Sequence, residues 1–383
     1  VRQLTKQVRG GSTQAGSQLG ELISSLSRSE CNLLIRAFGT YFQLVNLAEE
    51  IHRVRVNRER EAVATSNEPR AESVMAAFRV LLDEGWSVTE VRNFLDNLDV
   101  QLTITAHPTE VKRYTVRLKL ERIAQAVRSL AERDLSPTSR QLLMAEIRAE
   151  IATLWQTREL PADKPRVIDE AKSALYYFRR SILSELPRIL ADVEQAIGSY
   201  FGADSPAALP PLVRFRSWIG GDRDGNPLVS PEVFSEALAL QSKVALGSAL
   251  ADMDGLVQRL SLWEDRTEVP ALLREKLAGR LAELPGARER FPDEPFRQLI
   301  WLMHHGLNAE LHGTGRYPGG SEGFASDLAL LEEALSEGGN SWAARAFVRP
   351  ALYRARTFGF HLAALDTREN SAVHERVIAD LLA

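Results

Sequence analysis

The chain has 383 residues, of which 51 are acidic and 47 basic, for a net charge of −4. Apolar residues make up 44% and charged residues 26%, a globular balance that excludes disordered, collagen-like and disulfide-scaffold classes. The near balance of charge gives no case for nucleic acid or an anionic membrane as the main partner, and no apolar run approaches the ~20 residues of a membrane helix.

The single cysteine, Cys31, cannot close an internal disulfide, which fits a reducing cytoplasm. The first thirty residues are polar and glycine-rich, without the apolar centre of a signal peptide. The chain begins at Val1 and stops at Ala383 inside the helix-like run HERVIADLLA, so it reads as a piece of a longer polypeptide. By length it would hold two or three domains or one large barrel.

Taken in chain order, most segments read as amphipathic helix. Residues 30–60 place Leu33, Leu34, Phe38, Tyr41, Leu44, Val45 and Ile51 at three- and four-residue steps. Residues 72–98 read as two short helices broken near Gly85, with Ser87 and Glu90 forming a capping box. Further helices are expected over 110–134, 137–160 (Pro137 in the first turn after Ser136) and 168–198. Pro187 should kink or break the last of these. The pattern continues over 231–263, 269–284, 293–311, 323–337 and 369–383.

Three short stretches read as strands: Leu102–Thr105, Leu212–Ile219 and Phe358–Leu365. Each runs into a polar cluster: AHPTE (106–110), GGDRDGNP (220–227) and DTREN (366–370). In a parallel β/α barrel the strand C-terminal ends carry the site, so three such clusters would converge on one face. Three strands cannot close a barrel of eight, so most of such a barrel would lie after Ala383.

His107 follows a strand and precedes a helix, with Lys112 and Arg113 close behind. Imidazole there can exchange protons or, as a cation, stabilise a developing anion. It can equally serve as a simple helix cap. In GGDRDGNP the paired glycines permit a tight turn or a close backbone approach to a ligand. A calcium loop fails, because Pro227 and Val233 stand where glycine and the bidentate glutamate belong. A dinucleotide fingerprint fails on spacing. Two compatible readings remain, a loop rigidified by Arg–Asp pairing and a ligand-facing loop. Arg368 offers a planar fork suited to phosphate or carboxylate, with a surface ion pair to Asp366 or Glu369 as the plainer reading. His304, His305 and His312 lack a consistent ligand spacing. HGTGRYPGGSEG (312–323) lacks the ending of a P-loop and reads as a linker. Arg53, Arg55, Arg58 and Arg60 read as a solvated or interdomain basic face, and Trp155 and Trp301 as core.

TITAHPTEVKR resembles the histidine signature of the phosphoenolpyruvate carboxylase family, and FRSWIGGDRDGNP closely matches that family's second hallmark. FGFHLAALDTRENSAVHE resembles its strand ending in Asp-x-Arg. AFGTYFQLVNLAEEIHRVR and LWQTRELPADKPRVIDEAKSALYYF are similar to its early and central helices, so the resemblance covers roughly residues 20–383. One departure is Tyr114, where a basic residue is expected after Arg113.

The resemblance implies a mainly α-helical protein with a (β/α)8 TIM-like barrel. Residues 1–100 would form an N-terminal helical region. Residues 101–383 would form the first part of the barrel, about three strands with long helical insertions. It implies an anaplerotic lyase that joins phosphoenolpyruvate and bicarbonate into oxaloacetate and phosphate with Mg²⁺ or Mn²⁺, feeding the tricarboxylic acid cycle. The enzyme would be an allosteric cytoplasmic homotetramer without nucleic-acid or membrane partners. By the same resemblance His107 is the essential histidine, Arg368 holds the substrate phosphate and Trp218 lines the CO₂ pocket; Arg223, in the ligand-facing reading of its loop, is a further candidate substrate-binding residue. The metal ligands are expected outside this chain, and the chain alone is expected to be inactive. The alternatives are a non-catalytic phosphate-binding or scaffold relative, or another barrel enzyme that uses phosphoenolpyruvate.

Overall fold

The computed structural model describes residues 1–105, 113–131, 134–159, 166–202, 208–224 and 226–383. The described chain is mainly helical, with one small parallel sheet. It divides into two compact units. None of its described helices is long and apolar enough to cross a membrane.

The first unit is all helix. It holds Arg2–Arg9, Thr13–Ser25 and the 36-residue Arg28–Val63, together with Tyr114–Ala131 and Pro137–Gln156. The first two helices fall in the stretch that looked merely polar. The second of them is capped by Ser12, whose hydroxyl accepts from the Ala15 N–H. Ser136 and Pro137 start the last helix as their types require. Val116, Ile123 and Leu154 form a small apolar centre, lined by Leu44, Leu47 and Ile151. Beside it Glu150 takes Arg122 and Lys119, and the Arg122 hydrogen bond holds the Glu150 carboxyl below its ordinary range. Arg53, Arg55, Arg58 and Arg60 are exposed, with Arg53 and Arg55 paired along the helix to Glu49 and Glu59. Trp155 is half-buried under the Arg36 guanidinium.

The second unit builds the sheet. Its strands are β1 (Val100–Ile104), β2 (Val213–Ser217) and β3 (Ala364–Leu365), parallel and in that order. Val100–Ile104 pairs along the whole of Val213–Ser217, and Arg216–Ser217 pairs with Ala364–Leu365. Helices Val74–Asp83 and Val88–Asp96 precede β1, and the Ser87–Glu90 capping box is present.

Two expectations need correction here. The third strand is two residues long, not eight. Phe358 ends a helix, and the chain then turns through Gly359 (φ +50°) and Leu362 (φ +68°) before pairing. Phe358, Phe360, Leu362 and Ala363 are all buried, because consecutive residues of a turn inserted in a core need not alternate. Pro187 does not break its helix, since Leu183–Phe201 runs through it. The irregularity sits one turn earlier, in the π-helical Phe178–Ile182. A proline lacks the N–H that would bond the carbonyl four residues back. That carbonyl, on Leu183, instead accepts from Arg354 at 3.4 Å.

The run 312–323 is also more than a linker. Tyr317 within it is fully buried, and its hydroxyl donates to Asp327 at 2.7 Å. Arg280 and Lys276 reach the same carboxylate. Glycines make the space: a Cβ at Gly306 would lie 2.9 Å from the Tyr317 ring, and one at Gly323 would lie 2.0 Å from the Pro318 carbonyl.

The helix Arg349–Phe358 ties the unit together. Phe358 and Phe178 pack on Phe215 of β2 with centroids 5.4 Å away in each case. Arg356 donates to the Leu209 carbonyl at 3.0 Å, and the Tyr353 hydroxyl accepts from the Leu209 N–H at 3.2 Å, fixing the chain that enters β2. Arg349 bridges Glu194 and Glu332, and Arg354 grips Asp252 with two hydrogen bonds of 2.8 and 2.6 Å. Burial outweighs those cations at two of the carboxyls, so Glu194 and Asp252 sit above their ordinary range. With its amide nitrogen turned toward β3, Gln241 donates to the carbonyls of Ala363 (2.8 Å) and His361 (3.1 Å).

Candidate functional site

The strand ends deliver two of the three polar clusters into contact. Past β2 the Trp218 N–H donates to the Ile104 carbonyl of β1 (3.1 Å), and past β3 the Asp366 N–H donates to Ser217 (2.9 Å). The chain then turns through Gly220 (φ +94°), and the loops pair again beyond the sheet. Arg368 donates its N–H to the Gly221 carbonyl (3.1 Å), and its own carbonyl accepts from Arg223 (2.9 Å) and Asp224 (3.3 Å). This parallel bridge between Asp222 and Arg368 needs glycine beside it. A Cβ at Gly221 would sit 2.1 Å from the Asp366 carbonyl oxygen.

The side chains above this bridge form one charged network. Arg368 lies with its guanidinium carbon 5.3 Å from the Trp218 ring centroid, a cation–π distance. The same guanidinium faces Asp222 (3.6 Å) and Asp224 (3.3 Å). Arg216 reaches Asp366 at 3.1 Å, and Arg223 approaches Glu369 at 3.9 Å. The Asn370 side chain caps the helix Ser371–Leu382 through the Ala372 N–H.

Two properties decide what this network can do. Three guanidinium groups (Arg216, Arg223, Arg368) meet four carboxylates (Asp222, Asp224, Asp366, Glu369), so the described cluster carries about one negative charge in excess. It is not by itself an anion hole. The Arg368 pairs are nonetheless half exposed, where ion pairs contribute only ~0–1 kcal/mol. A bidentate phosphate makes stronger contacts than that. Arg368 is therefore held in place yet exchangeable. Arg223 has a buried Nε without a hydrogen-bond partner among the described residues.

Trp218, Arg223 and Arg368 thus come together at the ends of β2 and β3. His107 lies outside the described residues, as does Lys112. His304 faces Asp254 at 3.3 Å and His305 stacks on Trp301. Among the described residues no three His, Cys, Asp or Glu side chains are grouped to hold a metal ion. Sequence reasoning singles out Gly221 through the paired glycines of GGDRDGNP and misses Arg216. Arg216 sits at an alternating position of a short strand, a signal that strand-end placement could have flagged.

The fold and the site define a class, a mainly helical protein with a small parallel sheet whose strand ends gather glycine turns, arginines, carboxylates and a half-exposed indole. Comparison with known proteins makes the class specific: the family model described as phosphoenolpyruvate carboxylase matches residues 1–383. The chain belongs to the phosphoenolpyruvate carboxylase family. It is 39% identical over 382 residues to the phosphoenolpyruvate carboxylase of Thermus thermophilus and 38% identical over 382 residues to that of Thermus sp. strain 71. Both alignments take in 100% of this chain and 41% of the relative. That of Rhodothermus marinus is 36% identical over 369 residues, covering 94% of this chain and 39% of the relative. The chain therefore spans about two-fifths of the length of these relatives.

Proposed function

We propose that this chain supplies the first strands of the barrel of a phosphoenolpyruvate carboxylase, corresponding to the enzyme's N-terminal portion. In this reading residues 101–383 hold three of eight strands with helical insertions, and residues 1–100 are the helical region before them. The observation that carries it is the convergence of Trp218, Arg223 and Arg368 on one end of a parallel sheet.

The reaction is the carboxylation of phosphoenolpyruvate. A bicarbonate oxygen attacks phosphorus as the bond to the enol oxygen breaks, giving carboxyphosphate and the pyruvate enolate. Carboxyphosphate releases CO₂ and phosphate, and the enolate carbon attacks CO₂ to give oxaloacetate. Arg368 leaves Asp222 and Asp224 to clamp the phosphate, the preorganised positive charge that phosphoryl transfer needs. Arg223, whose buried Nε has no hydrogen-bond partner among the described residues, adds positive charge beside it. Trp218 contributes an apolar wall where CO₂ waits, since water there would protonate the enolate. His107 assists the carboxyphosphate and carboxylation steps, by family resemblance. The net negative charge of the described cluster calls for further cations from residues outside it, and we place the ligands of Mg²⁺ or Mn²⁺ in sequence outside this chain. Among the described residues no group of side chains builds that metal site. The assembled enzyme is a cytoplasmic homotetramer that supplies oxaloacetate to the tricarboxylic acid cycle.

The engagement of Arg368 by two carboxylates favours one second reading, a non-catalytic phosphate-binding or scaffold relative. Bicarbonate-dependent oxaloacetate formation by the native polypeptide from its source cells separates the two. We expect turnover by a subunit longer than this chain, a loss of ~100-fold or more in Arg368→Gln and His107→Asn, and none from the 383-residue chain alone. An inactive native polypeptide, or an Arg368→Gln variant of unchanged rate, overturns the catalytic reading.

A further inference from the structure

A groove of about 600 Å³ lies in the second unit, away from the strand ends, and the site above leaves it unused. One wall is the helix Pro231–Arg259, where Lys243, Gly247 and Ala251 share a face at four-residue steps. The opposite wall is the π-helical turn with Arg179 and the start of the helix after it, at Leu183. π-Turns of this kind recur at functional sites, because the extra residue redirects side chains that a regular helix would stack.

The polar content of the groove is uneven. Arg354 and Asp252 neutralise each other at one end, and Arg354 also takes the Leu183 carbonyl that Pro187 frees. Arg179 and Lys243 are exposed and make no hydrogen bond or ion pair with another described residue. Two unneutralised cations therefore face a cleft whose remaining lining includes Leu183, Val244 and Leu311, with the half-buried Ser248 hydroxyl between. Gly247 leaves the floor open, since a Cβ there meets nothing within 4 Å.

We infer that this groove binds a small phosphomonoester with an apolar body, its phosphate held by Arg179, Lys243 and Ser248. The charge matches: a phosphomonoester dianion carries close to two negative charges near neutral pH, opposite two cations. The volume lies within the range of small-molecule sites, which are apolar with a few placed polar groups. A bare inorganic anion would leave the apolar walls uncovered. The site stands independently of the reading of Arg368.

Isothermal titration of the full chain with phenyl phosphate, and separately with inorganic phosphate, tests it. Phenyl phosphate should bind more tightly than inorganic phosphate and lose affinity as salt is raised. Affinity should fall by about tenfold or more in the double variant Arg179→Gln, Lys243→Gln, which removes two charge-assisted contacts. It should fall also in Gly247→Leu, whose side chain enters the floor from a Cβ position with nothing within 4 Å. Binding of phenyl phosphate should persist in Arg368→Gln, which removes only the phosphate contact at the strand ends, and in that background it should still fall with the Arg179→Gln, Lys243→Gln double variant. Absence of binding, equal affinity for the two ligands, or an undiminished affinity in the double variant overturns the inference. Loss of binding in Arg368→Gln overturns it too, by placing the ligand at the strand ends.

Discussion

Gly221→Ala tests whether the loops after β2 and β3 are held by their own backbone pairing. The added methyl would lie 2.1 Å from the Asp366 carbonyl oxygen, a rigid backbone atom, so the loops must separate. Separation strains or breaks three backbone hydrogen bonds: Arg368 to Gly221, Arg223 to Arg368 and Asp224 to Arg368. At a net ~1 kcal/mol each, that is about 3 kcal/mol. The half-exposed Arg368 ion pairs add no more than ~1 kcal/mol. Against this, alanine restricts the unfolded chain and returns ~0.4–1 kcal/mol. The expected net loss is about 2–3 kcal/mol, read as a lower urea midpoint at unchanged slope by tryptophan fluorescence. Gly255→Ala is the control, because Gly255 lies inside the helix Pro231–Arg259 with nothing within 4 Å of an added Cβ. That variant should gain ~0.5–1 kcal/mol. A loss below ~0.5 kcal/mol in Gly221→Ala would refute the pairing as the element that fixes Arg368.

Two further outcomes follow from the buried networks. Arg349→Met leaves Glu194 and Glu332 facing each other without their shared cation, at a site where Arg349 and Glu332 are each 9% exposed. Thermal unfolding should show a loss of about 3–5 kcal/mol, and a loss under ~1 kcal/mol would mean the carboxylates find other partners. Glu194 gives a pH dependence of definite sign. Its folded-state value is raised above the ordinary 4.5, chiefly by desolvation, so the folded state holds the proton longer than the unfolded one. That contribution is complete below 4.5 and is lost as pH rises through the raised value. The stability of the parent minus that of Glu194→Gln should therefore fall with rising pH above 4.5. A difference that grows with pH would show the Arg349 pairing to outweigh burial.

Much of the local structure was legible in the residues. The apolar steps of Arg28–Val63, the Ser87–Glu90 capping box and the Ser136–Pro137 start appear where their chemistry puts them, because caps and periodicity are local. The strands β1 and β2 were likewise readable from short apolar runs ending in polar clusters. Glycine and aspartate density marked the loop after β2 as a candidate site, and the Asp-x-Arg run marked the loop after β3.

Tertiary structure decided the rest. Phe358–Leu365 has a strand's composition, yet only Ala364–Leu365 finds a partner, because Phe360 and Leu362 are claimed by the core first. The helix Arg349–Phe358 went unread since its arginines look like a solvated surface, whereas Arg349, Arg354 and Arg356 bind groups 17 to 171 residues away in sequence. Tyr317 hid in a glycine-rich run for the same reason: its partner Asp327 and the space left by Gly306 come from other segments. Local chemistry thus fixed which residues start helices and which loops carry charge. Only the fold decided that Arg368 rests on Trp218 between two carboxylates, because that contact joins loops more than a hundred residues apart and depends on a glycine at 221 for the two backbones to touch.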